Sequence, residues 1–104
     1  NHTQSLRSCF IEANATASAG DFFNFVEHLV ERCGESLLRL KGIAPMRDRS
    51  QATALVDVVR GRLYPPQGTA HAGAGGRPRA VAIIQELPVA LVAEVAAANE
   101  MQCA

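Results

Sequence analysis

SAGDFFNFVEHLVERCGESLLRLKGIAPM, residues 18–46, joins the clearest helix signal in the chain to its clearest strand signal. Ser18 and Asp21 have the spacing of a capping box, with Asp in place of the usual Glu. The Asp21 carboxylate also suits the positive end of a helix. Phe22, Phe25, Val26, Leu29, Val30 and Cys33 then recur at intervals of three and four, which predicts a buried stripe. Asn24, Glu27, His28, Glu31 and Arg32 take the opposite face, and Gly34 ends the helix. Beyond it, Leu37 to Ile43 reads as a strand with Leu38 and Leu40 on one side and Arg39 and Lys41 on the other. Two cations on one side imply a face that is solvated or meets a partner. The stretch holds no catalytic motif.

Upstream, Leu6 to Ala13 alternates as a first strand, with Leu6, Ser8 and Phe10 on one face and Cys9 and Ile11 on the other. Downstream, 46–50 is a polar turn. Gln51 to Tyr64 fits a helix through Ala52, Leu55, Val58 and Val59, or a strand through its Val and Thr. Pro65 to Gly76 is a Gly- and Ala-rich loop, and Arg79 to Gln85 a short apolar strand. Pro88 opens a last helix, Val89 to Met101, at a position where its missing N–H costs little; Leu91, Val92, Val95 and Ala98 face inward. Taken as a strand, 51–64 completes the order strand, helix, strand, strand, strand, helix. Two helices with one apolar side each then cover one face of a four-stranded mixed sheet. A right-handed crossover makes the first two strands parallel, with the third antiparallel to the second. The expected fold is an α+β two-layer sandwich, a variant of the ferredoxin-like arrangement.

The 104 residues suffice for one domain with one core, residues 1–4 reading as the end of a linker. Ten acidic and ten basic side chains leave no net field to draw in nucleic acid or an anionic membrane. Four Phe, one Tyr and no Trp argue against an RNA-stacking sheet. No apolar run is long enough to cross a bilayer. Three cysteines, an odd number without Cys-x-x-Cys spacing, speak against a secreted disulfide scaffold and for a reducing cytoplasm. The sequons at Asn1 and Asn14 are accordingly read as chance.

The candidate functional residues are few. Arg39 and Lys41, beside Gly42, form the candidate interaction surface. His28, with Asn24 and Glu31, has a ligand-like helical spacing, but zinc sites recruit more Cys and His, so a plain polar face is favoured. His2 and His71 fall in segments read as solvent-exposed. Cys9 and Cys33 read as buried thiols. Asp57, a charge inside an apolar run, is expected to pair with Arg60 or a neighbouring cation, or to mark an interface. No Gly-x-x-x-x-Gly-Lys-Ser/Thr loop is present. Gly73 to Gly76 is glycine-rich but precedes a strand and lacks the lysine.

Taken together, Ser5-Leu6-Arg7-Ser8, the Phe22-to-Leu29 helix and Leu37-Leu38-Arg39-Leu40-Lys41-Gly42-Ile43 form a recognisable series. Val59-Arg60-Gly61, the Pro-containing loop, Arg79 to Ile84 and the Leu87-Pro88 link continue it. Over residues 2–101 the chain resembles the C-terminal domain of CobW-type cobalamin-synthesis proteins, a family of P-loop GTPases. The resemblance favours a strand for 51–64. It implies a non-catalytic accessory domain of a GTP-dependent metal chaperone, acting in docking, oligomerisation or client recognition. GTP, Mg and a transition metal are implied for the parent protein and no cofactor for this domain. The implied partners are the N-terminal GTPase domain, a further copy of the protein and a metalloprotein client. The family's His-rich linker is represented here by His2 alone. The competing expectation is a small stand-alone ferredoxin-like enzyme or ligand-binding domain, acylphosphatase-like in shape. It would use Arg77 and Arg79 beside the Gly73–Gly76 loop as an anion cradle.

Overall fold

A computed structural model describes residues 5–46, 52–69 and 76–103. Its elements are β1 (Leu6–Ala13), α1 (Ala19–Cys33), a 3₁₀ turn (Gly34–Ser36), β2 (Leu37–Pro45), β3 (Thr53–Val59), β4 (Arg62–Leu63), β5 (Gln67–Thr69), β6 (Arg79–Gln85), α2 (Val89–Ala98) and β7 (Met101–Cys103). The α+β class and the pair of helices agree with the sequence reading, and 53–59 is a strand.

The sheet departs from it. Among the described residues it has seven strands, in the order β4-β3-β2-β6-β1-β7, with β5 also pairing β3. Every pairing is antiparallel, so the sheet is not mixed. β1 and β2 do run the same way, but they are not neighbours, because β6 lies between them and opposes both. The extra strands are two or three residues long, too short to leave an alternating pattern in the sequence. β7 replaces the expected last turn of the second helix. Asn99 ends α2, its side-chain amide donating to the Val95 carbonyl, and Glu100 reverses the chain at φ 63°. Pro88 is the N-cap of α2 rather than its first helical residue.

α1 forms as its sequence dictates. The Ser18 Oγ accepts from the Asp21 N–H at 3.1 Å while the Asp21 carboxylate accepts from the Ser18 N–H at 2.8 Å. Gly34 closes the other end at φ 56°. Phe22, Phe25, Val26, Leu29 and Cys33 are buried, and Val30 packs at the margin. On α2, Val92, Val95 and Ala96 are buried, whereas Ala98 is exposed. The floor beneath the helices is built from Ile11, Leu40, Val58, Ala82 and Ile84, all fully buried.

β2 carries an irregularity between Leu37 and Arg39. An extra residue in one strand shifts the alternation by one. Leu37 and Leu40 therefore both reach the core, while Leu38 is left half-buried. This corrects the expectation that Leu38 and Leu40 share the inner face. At the end of β3, Arg60 (φ 47°) and Gly61 (φ 74°) turn the chain back, and their N–H groups donate to the Leu38 and Leu37 carbonyls.

Candidate functional site

Both helices lie on one face of the sheet, so alternation along the strands assigns every second side chain to the other face. Register then places those side chains in rows. One row runs Phe10, Val81, Lys41, Asp57 across β1, β6, β2 and β3. Its neighbours are Ser8, Ile83, Arg39, Val59 and Glu12, Arg79, Ile43, Leu55. This open face carries large apolar groups in water: Leu6 is 55% exposed, Val81 48%, Phe10 41% and Ile83 38%. Towards β3 and β5 the face is hollowed into a groove of about 630 Å³ walled by Phe10, Lys41, Ile43, Leu55, Tyr64 and Val81.

The charges on this face are ordered. The Arg39 Nε donates to Asp57 Oδ1 at 2.9 Å and its Nη2 to Oδ2 at 3.3 Å, a two-pronged pair. Asp57, uninterpretable from its strand position alone, thus pairs with a neighbouring cation, and that cation is Arg39 rather than Arg60. Both side chains are more than two-fifths exposed, so the pair adds little stability. Its consequence is local: the side chain of Lys41, directly across the ladder from Asp57, makes no ion pair or hydrogen bond among the described residues. At the rim, the Arg62 guanidinium lies 5.6 Å from the centre of the Tyr64 ring.

Of the expected interaction residues, Arg39 and Lys41 stand on this face. Gly42 lends it only backbone. A Cβ there would point to the helices, 2.7 Å from the Phe22 ring and 3.1 Å from the Ala80 Cβ. Phe10, Val81, Ile83, Leu55 and Tyr64 were not singled out from the sequence. A signal existed, because β6 is apolar on both sides, as a strand covered on both faces would be.

Of the metal-ligand candidates, His28 alone lies among the described residues. The His28 Nδ1 lies 3.1 Å from the Asn99 Oδ1, bridging α1 to α2 on the surface. His2 and His71 lie outside the described residues. Among the described residues no three His, Cys, Asp or Glu side chains meet at one point. All three cysteines are free thiols. Burial, reinforced by nearby Cys103 and Cys33, pushes the Cys9 thiol from its ordinary 9.0 to about 11. Burial also raises Cys33, partly offset by Arg32. Neither is a ready thiolate at neutral pH. As for an anion cradle, the Arg79 Nη1 donates to the Arg77 carbonyl at 3.0 Å, and 70–75 lie outside the described residues.

The family model described as the cobalamin synthesis protein cobW C-terminal domain matches residues 6–98. The chain belongs to the CobW C-terminal domain family. The match runs from the first residue of β1 to the last of α2. Among solved structures, the CobW domain described here is similar to Zn(II)-bound YjiA GTPase from E. coli. The TM-score is 0.68 at 21% identity, covering 89% of this chain and 29% of that one. A Zn(II)-bound triple mutant of YjiA GTPase gives a TM-score of 0.69 at 21% identity, with 91% and 30% covered. At this identity the likeness is one of fold. The CobW domain spans about three-tenths of the length of either YjiA chain. None of the curated proteins matches it in sequence.

Proposed function

We propose that this CobW domain is the non-catalytic accessory part of a GTP-dependent metal chaperone, and that its open sheet face is a docking surface. The observation that carries the reading is the pairing of a CobW C-terminal sequence with a sheet face that keeps Phe10, Val81 and Ile83 in water. A scattered exposed apolar residue needs no explanation, whereas a contiguous apolar patch is characteristic of an interaction site. The sequence has no phosphate loop, so nucleotide chemistry falls to another domain. GTP, Mg and the transported metal would be held there; the YjiA GTPase of similar fold is a Zn(II)-bound protein. The partners on this reading are that nucleotide domain, a metalloprotein client or a second copy of the protein, and the compartment is the cytoplasm.

Two measurements test the reading. The pure chain is expected to show no GTP turnover above buffer; measurable turnover sinks the accessory assignment. Mixed with a separately produced CobW-type nucleotide domain, it is expected to form a complex in sedimentation velocity, weakened by Val81→Asp. A complex indifferent to that substitution would move the docking surface elsewhere.

A further inference from the structure

Resting on the docking reading, we infer that the open face seats an amphipathic helix of a partner protein, whose apolar stripe carries a carboxylate that pairs with Lys41. The first ground is the chemistry of the groove floor. Lys41 is exposed and stands beside Val81 in the ladder, with Phe10 beyond it in the same row. The one carboxylate across from it is held by both prongs of Arg39. An ammonium among apolar side chains, with its nearest counter-charge already occupied, is complementary to an incoming carboxylate and repels an incoming cation.

The second ground is the balance of the whole face. Among the described residues, Arg39, Lys41 and Arg62 stand on it against Asp57, and Arg79 stands across from Glu12. In a chain whose formal charge is zero, this is a local positive excess. The third concerns the kind of element. Through the middle of the face the backbones of β1, β6, β2 and β3 pair with one another, so no free ladder is offered to an extended peptide. Recognition there goes through side chains, as it does in helix-in-groove docking. The other face of the same sheet already accepts two helices.

The test uses the 104-residue chain and model helices of about 18 residues, or five turns. One carries a Leu stripe interrupted by a central Glu, a second has Lys in place of that Glu, and a third has Gln. Amide shifts in ¹⁵N spectra report where each binds. The Glu helix is expected to shift Phe10, Lys41, Val81 and Ile83 and to bind roughly three- to tenfold more tightly than the Gln helix. Lys41→Glu, a change at an exposed position, is expected to reverse the order of the Glu and Lys helices. That reversal also controls for general damage, since an impaired fold would weaken both. Equal affinity of the three helices, shifts confined to the α1–α2 side, or no shifts at all overturn the inference. None of those outcomes touches the accessory reading, which the GTP and trans-association assays test separately.

Discussion

Gly42 and Lys41 are adjacent in sequence and serve opposite faces. Gly42 is where the Phe22 ring comes down on the sheet, with the buried Ala80 beside it. Gly42→Ala is expected to destabilise the fold by about 1–3 kcal/mol, read from the urea midpoint, because Phe22 is fully buried and has nowhere to move. Cys9 gives a second residue-level expectation. Its thiol ionises at about 11 when folded and near 9.0 when exposed. Between those values the unfolded chain has lost the proton and the folded chain keeps it, so stability falls as pH rises from about 9 to about 11. Thermal melts across that range should show the decline, and Cys9→Ala should flatten it. A decline that persists unchanged in the variant would assign it to other groups.

Among the elements, α1 is specified most locally, since its cap, stripe and stop all lie within seventeen residues. Ser18→Ala is expected to cost about 1 kcal/mol through loss of the capping box, measurable as a lowered melting temperature. Glu100 is the reverse case: a side chain held at φ 63° where glycine is at ease, so Glu100→Gly is expected to stabilise by up to about 1 kcal/mol. The same contrast explains what could be read without coordinates. α1, β3 and β6 carry their patterns within themselves. β5 and β7 do not, since three residues show no period and their pairing partners lie far off in sequence. Asn99 was the available sign that α2 stops early, and it was masked by the run of alanines before it. The bulge at Leu38 escaped because counting by twos cannot register an extra residue. For the site, alternation was enough to turn Arg39 and Lys41 outward. Knowing that Phe10, Val81 and Ile83 join them required the order of strands, which places β6 between β1 and β2.

On the scale of the whole molecule, the two faces of one sheet divide the work. The inner face builds the core from Ile11, Leu37, Leu40, Val58 and Ile84 on the strands against Phe22, Phe25, Leu29 and Val92 on the helices. The outer face is free to carry charge and apolar surface together, because folding does not depend on covering it. Val81→Asp is therefore expected to leave the unfolding free energy, read from the urea midpoint, within about 0.5 kcal/mol of the parent, although it lies on the central strand. A larger loss would mean that the outer face contributes to the fold. The position of β6 has one more consequence, for synthesis. It is the last long strand to leave the ribosome, yet it is the common neighbour of the first two. Until residue 85 emerges, β1 and β2 have nothing to bridge them, and Phe22, Phe25 and Leu29 face an incomplete floor. Nascent chains stalled before residue 79 should stay open to protease, and those with residue 103 clear of the exit tunnel should resist it. Translation, rather than chain diffusion, then sets when this domain closes, and the waiting interval is when a chaperone would find it.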